Sequence, residues 1–379
     1  MATLTGDAVG DSSAAAVAVA SHAQAIGPEE IALYDRQIRL WGVQAQQKLR
    51  TSNILLIHFR AVANEVAKNL VLAGIGSLTI VDHAPVSEED LGAQFFLSEQ
   101  HVGQNRAEAA APQIRKLNPR VSVYIDTEDI RLKEPEYFTT FDVIIATDLD
   151  LVSFERINES ARLCARPFYA AGSHGFYGYV FADLITHDFV IEREKSNVPT
   201  VLRPESATRS IIASSTKKEN GKTIEMVTKR EQYTPLRLAN AAPLPSEYLH
   251  NRRRLRQVPP LLTGIKALWE FQRLKGHLPS HNHADLELFT TLATDAHKSL
   301  QLPPETLTSD FLRSFLHNLG SEIAPVTAIL GGQLAQDVIN VLGHREQPIQ
   351  NLLLFDGEET KGPIYAMHPL LTAVDASML

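Results

Sequence analysis

The chain has 379 residues, 44% hydrophobic and 21% charged, with 36 Lys plus Arg against 44 Asp plus Glu for a formal net charge of −8. The length suits one large α/β domain with a sizeable insertion, or two modest domains. The acidic balance argues against general nucleic-acid binding, which needs a basic footprint, and no apolar run reaches the roughly 20 residues of a membrane span. A single cysteine, Cys164, rules out an internal disulfide framework and a CxxC-type zinc site, and points to a reducing compartment.

In chain order, residues 1–26 are rich in Ala, Gly and Ser and have no basic segment ahead of Ala14–Ala20. They read as a disordered tail, not a signal peptide. From Pro28 to about Arg50, Ile31, Tyr34, Ile38, Trp41, Ala45 and Leu49 recur at helical spacing. A buried strand is predicted at Asn53–His58, and a helix through Val62, Val66 and Leu70 that stops at Gly74. Further strands are predicted at Ser77–Asp82, Val121–Asp126 and Phe141–Ala146, with helices at Arg106–Leu117 and Leu151–Cys164. This alternation predicts a Rossmann-like, doubly wound and mostly parallel sheet.

Pro167–Ala171 and Gly175–Leu184 read as later strands. From Glu192 to Tyr248 the pattern dissolves, and the polar stretch around Lys217, Lys218, Asn220 and Gly221 reads as a mobile loop. Helical periodicity returns through Leu261–Trp269, Ala284–Leu300 and Phe311–Leu319. A largely apolar helix from Val326 to Val341 and a strand Leu352–Phe355 close the pattern. The expected division is a Rossmann-like domain of residues 27–190 and 316–379, with residues 191–315 a helical insertion carrying the mobile loop. Gly331–Gly332 is expected to permit close packing of the closing helix on a partner or on the sheet.

A nucleotide-binding βαβ unit runs its first strand into G-x-G-x-x-G, so that backbone N–H groups and the helix N-terminus meet phosphates. Here the segment is His58-Phe59-Arg60-Ala61-Val62-Ala63-Asn64-Glu65, without a glycine. Asp82 nevertheless ends the second strand, where an acid would hold ribose hydroxyls or would simply form a turn. An acid without a phosphate cradle disfavours a nicotinamide dehydrogenase. The run Arg252–Arg256 reads either as a nuclear-import signal or as a solvated basic face. His281-Asn282-His283 lacks a third ligand for a metal, and Cys164, near the end of an apolar helix pattern, reads as a small buried hydrophobe.

Several segments together resemble the adenylating subunits of ubiquitin-like-protein activating enzymes, of MoeB and ThiF descent. They are Tyr34-Asp35-Arg36-Gln37-Ile38-Arg39-Leu40-Trp41-Gly42, Lys68 to Gly76, Val102-Gly103-Gln104-Asn105-Arg106-Ala107-Glu108, Asn118-Pro119 and Phe355-Asp356-Gly357. The resemblance covers roughly residues 29–184 and 318–358. It implies paired Rossmann domains in which an N-terminal arginine, here Arg36, reaches across to the partner's ATP phosphates. A guanidinium fork suits that task, because the phosphates gain charge during adenylation.

Departures from the family pattern imply that this chain's own site is inactive. Ala93 stands where an active copy has a phosphate-binding arginine. Arg106 replaces a lysine. Asp148, matching a Mg²⁺-side aspartate, is followed by Leu149, Asp150 and Leu151 without the matching arginine. Asp82 and Asp148 are then vestigial, and no cysteine is placed for a thioester. The resemblance thus implies a non-catalytic subunit that binds no cofactor or metal itself. ATP and Mg²⁺ would sit in a larger catalytic partner bearing the thioester cysteine. Length and the short insertion favour the SUMO branch, with SUMO met through the complex in the nucleus and cytoplasm. The inactive subunit of the neddylation branch and a self-sufficient MoeB-like homodimer remain as alternatives.

Overall fold

The computed structural model describes residues 26–219 and 221–369. The tail read over residues 1–26 therefore lies outside the described residues, apart from Ile26. In the first half α1 (Pro28–Thr51), β1 (Asn53–Ile57), α2 (Ala61–Ala73), β2 (Ser77–Val81), α3 (Arg106–Leu117), β3 (Ser122–Asp126), β4 (Val143–Thr147) and α4 (Leu151–Leu163) follow one another. The strands β5 (Phe168–His174), β6 (Tyr177–Asp183), β7 (Thr186–Glu194), β8 (Arg209–Glu219) and β9 (Lys222–Gln232) come next. The helices α5 (Leu236–Ala241), α6 (Ser246–Leu249), α7 (Arg252–Leu255), α8 (Leu261–Lys275), α9 (His283–Ser299), α10 (Ser309–Asn318) and α11 (Ala324–Gly343) lead to β10 (Leu352–Asp356) and β11 (Ile364–Tyr365).

The main sheet has eight strands in the order β11-β10-β6-β5-β4-β1-β2-β3. β3, β2, β1, β4 and β5 run parallel, whereas β6, β10 and β11 add antiparallel. The strands at its centre are apolar because both faces are covered: Leu55, Ile57, Ile144 and Phe168 enter one core, Ile54, Leu56, Ile145 and Tyr169 the other. α2, α3 and α11 supply the second core, α4 and α8 the first. Trp269 of α8 stands edge-on to Tyr179 of β6 with ring centroids 5.2 Å apart. The fold is thus a Rossmann-like mixed sheet, and the chain order reverses between β1 and β4, the switch point where such sheets bind ligands. Among the described residues no helix is long and apolar enough to cross a membrane.

Two expectations are corrected. The mobile loop read over the Lys217–Gly221 region is instead a β-hairpin, β8 and β9, completed by β7 into a second, three-stranded sheet. The segment 191–315 is therefore not uniformly helical: sheet continues to Gln232, and the helices begin at Leu236. The alternation was obscured because two of the buried positions of β9 are Glu225 and Glu231. Glu225 accepts from Arg193, Thr200 and Ser214, and Glu231 from Arg209 and Thr208. Gly331, for its part, packs against α2. A Cβ there would lie 2.4 Å from Glu65 Cβ and 3.0 Å from the Val62 carbonyl, so α11 crosses α2 at this residue.

Candidate functional site

β1 ends at Ile57, and the chain turns through His58 (φ 64°) and Phe59 into α2. In a nucleotide-binding unit this turn wraps around phosphates. Here it folds on itself. The Phe59 ring is fully buried and stacks at 6.4 Å on Phe96. Phe59 N–H donates to Asp82 Oδ2 at 2.8 Å, and Thr147 Oγ1 donates to the His58 carbonyl at 2.6 Å. His58 Nδ1 lies 2.9 Å from the Thr147 carbonyl, so the ends of β1 and β4 are tied across the switch point. Burial lowers the His58 pKa against the pull of the Asp82 charge.

Asp82 sits at the end of β2 as expected, but its carboxylate already has donors. Oδ2 accepts from Phe59 N–H and from Arg106 Nη1 at 2.9 Å, while Oδ1 accepts from Ala84 N–H at 2.9 Å in a turn. Arg106 also donates from Nε to Asp90 at 3.2 Å, so its charge is balanced inside the protein. Ala93 leaves no side chain to reach into the crevice, and Gln94 beside it is buried and donates to Asp90 Oδ1 at 2.7 Å.

The residue that closes the crevice comes from 261 positions away. Glu322, just ahead of α11, accepts from Ala61 N–H at 2.9 Å in the first turn of α2 and lies 3.3 Å from Arg60 Nε; Gln94 Nε2 donates to its second oxygen at 3.3 Å. A carboxylate thus occupies the positive end of α2, the place where a phosphate would bind. Nothing in the sequence pairs Glu322 with this turn, since the contact is made only by the closing helix returning to the sheet.

Asp148 follows β4 with φ 49°. Its Oδ1 accepts from Ser173 N–H at 2.9 Å, and its Oδ2 is enclosed without a hydrogen-bond partner among the described residues. Burial first, and then the Glu322 charge, raise its pKa to about 7 against the attraction of Arg60. His174, at the end of β5, is held down at about 4 by burial and by Arg60. What remains of the crevice is two cavities that share Asp148 and Leu149, one of about 200 Å³ beside His58, Asp82, Asp129 and Arg131 and one of about 230 Å³ beside Arg60 and His174, each below the roughly 300–1,000 Å³ usual for ligand pockets. Around the first, acids outnumber the one arginine, the wrong sign for a nucleotide.

Arg36 is elsewhere. It is exposed on α1 and has no hydrogen bond or ion pair among the described residues, whereas Arg39 pairs with Asp35 at 2.8 Å. Its neighbour Gln37 donates to the Leu72 carbonyl, and Gln46 to the Ala73 carbonyl, at the C-terminal end of α2. The crevice lies at the other end of that 13-residue helix, about 18 Å away at 1.5 Å per residue. An arginine side chain does not span that distance. Cys164, read as buried, is half-buried at the C-terminus of α4, with its S–H donating to the Pro135 carbonyl at 3.1 Å. Asn282 caps α9 by accepting from Asp285 N–H, which accounts for the polar run between His281 and His283.

A model of the ThiF family matches residues 34–370. The chain is 38% identical over 349 residues to the DNA damage tolerance protein RHC31 of Saccharomyces cerevisiae, covering 90% of this chain and 97% of that protein. It is 37% identical over 339 residues to SUMO-activating enzyme subunit 1 of Xenopus tropicalis, covering 89% of this chain and 95% of that protein. To SUMO-activating enzyme subunit 1 of Homo sapiens it is 35% identical over 351 residues, covering 91% and 97%. The chain belongs to the ThiF family, among the relatives named SUMO-activating enzyme subunit 1.

Proposed function

We propose that this chain is the non-catalytic subunit of a two-chain SUMO-activating enzyme. It pairs with a larger catalytic subunit that carries the thioester cysteine, ATP and Mg²⁺, and it presents Arg36 to that subunit's ATP phosphates during SUMO adenylation. One observation carries the reading: among the described residues the Arg36 side chain has no partner, and it cannot reach the crevice of its own chain, which is closed by Glu322 and Asp82. Leu33, Arg36 and Leu40 share one face of α1 by helical spacing, and the two leucines are 60% and 78% exposed. An uncovered apolar strip flanking an unpaired cation suits a partner interface with an anionic centre. The names of the relatives supply the modifier, SUMO.

In this reading the chain holds no cofactor or metal, and Asp82 and Asp148 serve structure. The reading includes nucleus and cytoplasm as its location; the arginines of the Arg252–Arg256 run are exposed, as an import signal needs. The test is ATP–pyrophosphate exchange at saturating partner. Arg36→Ala is expected to slow exchange by about 10²–10³-fold, the usual cost of one preorganised donor at a developing charge, while the heterodimer stays intact. Arg36→Lys recovers part of the loss, because a point charge does not reproduce the fork. A near-normal rate for Arg36→Ala leaves the chain a scaffold.

A further inference from the structure

We infer that Glu322 is a built-in replacement for a ligand phosphate, and that withdrawing its carboxylate turns the N-terminus of α2 into a binding site for a small oxyanion. The inference deepens the reading of this crevice as closed to nucleotide, and rests on it.

Three observations converge. The Glu322 carboxylate takes its hydrogen bond from Ala61 N–H, the first residue of α2, and its countercharge from Arg60. Its side chain is only 6% exposed, so it is held there as a bound group would be. Second, the fit is imperfect. Arg60 Nε stands at ion-pair distance without hydrogen-bond alignment, and Gln94 reaches the other oxygen only at 3.3 Å. Third, enclosed polar atoms without partners gather around this point: Gln94 Oε1, Asp148 Oδ2 and Ser173 Oγ besides Arg60 Nε. Gln94 and Ser173 are 1% and 3% exposed. Buried polar groups are ordinarily satisfied; Arg60 Nε and the Ser173 hydroxyl have hydrogens to donate, and a tetrahedral oxyanion presents them more acceptors than a planar carboxylate does, whereas Gln94 Oε1 and Asp148 Oδ2 take a hydrogen bond only from its protonated form.

The consequence is a fold that carries its own anion. The loop between α10 and α11 is clasped to the first turn of α2 by the chain's own carboxylate.

The experiment is thermal unfolding of the full-length chain in inorganic phosphate, against sodium chloride at equal ionic strength. Glu322→Ala is expected to melt below the parent and to regain roughly 2–4 °C in phosphate. The parent gains nothing, nor does Glu322→Gln, whose amide still fills the space. Removing Arg60 as well (Glu322→Ala with Arg60→Ala) abolishes the gain. If Glu322→Ala does not fold alone, its refolding yield with and without phosphate gives the same answer. Absence of a phosphate effect on Glu322→Ala, an equal gain in Glu322→Gln, or a gain that survives loss of Arg60 overturns the inference and leaves the closed crevice standing. A gain in the parent overturns the closed crevice itself.

Discussion

At Asp148 the crevice stores a charge problem that pH can read. The carboxyl is held at about 7 against an ordinary 3.8, by burial and then by Glu322. Between those values the folded chain binds a proton that the unfolded chain releases. This group therefore makes stability fall as pH rises through that window, and has no further effect above it. His174 acts with the opposite sign: with its pKa lowered to about 4 from 6.5, it makes stability rise over that range. The useful quantity is thus the difference between Asp148→Asn and its parent. The amide keeps an oxygen for Ser173 N–H and carries no charge. The unfolding free energy of the variant minus that of the parent is expected to grow from pH 4 to pH 7, reaching about 1–2 kcal/mol in favour of the variant at pH 8 after discounting for solvent near the cavity. A difference that stays flat with pH would show that Asp148 is ionised at no cost. At this scale the sequence was partly legible. Asp82 and Asp148 stand at strand ends where the motif put them, and Phe59 fills space as its size required. The clasp of Glu322 on Ala61 was not legible, because the contact joins residues 261 apart through tertiary structure alone.

Elements were legible wherever one face or both are apolar. β1, β4 and α2 show this: β4 is buried along its whole length, β1 from Ile54 onward and α2 from Ala61 through Ala67, so they stand out as apolar runs. The β8–β9 hairpin escaped because buried glutamates satisfied by Arg193 and Arg209 invert the usual pattern. In the sequence, an Asn-Gly pair such as 220–221 is a signal for a hairpin. Gly331-Gly332 shows how sharply packing distinguishes adjacent identical residues. At Gly331 an added methyl meets Glu65 Cβ and the Val62 carbonyl, whereas at Gly332 nothing lies within 4 Å. Gly331→Ala is expected to cost about 1–3 kcal/mol as α11 is pushed off α2. Gly332→Ala is expected to be neutral, or to stabilise by up to about 1 kcal/mol through helix propensity alone. Chemical denaturation of the two variants checks this, and an equal response of both would mean that the α2 crossing does not set it.

For the whole molecule, the proposed role asks α1 to serve two sides at once. Its inward face is anchored: Tyr34 is buried and its hydroxyl accepts from Asn118 at 2.7 Å, Trp41 donates to Gln46 at 2.9 Å, and Leu49 is fully enclosed. Gly42, at φ 86°, breaks the helix and lets both halves follow the surface, with Arg345 Nη1 donating to the Trp41 carbonyl at 3.3 Å. The outward face at Leu33 and Leu40 has no such anchoring, so substitutions there separate assembly from folding. Leu33→Asp combined with Leu40→Asp is expected to leave the melting temperature of the isolated chain within about 2 °C of the parent, since exposed substitutions usually act within ±0.5 kcal/mol. The same pair is expected to weaken association with the catalytic subunit by at least tenfold per buried leucine, about 1.4 kcal/mol each. Light scattering at micromolar concentration and titration calorimetry measure the two effects. Arg36→Ala behaves in the reverse way, assembling normally and failing in exchange. Unchanged association of the Leu33→Asp, Leu40→Asp chain would move the interface off α1, and would remove the geometric reason for Arg36 to meet a partner's phosphates.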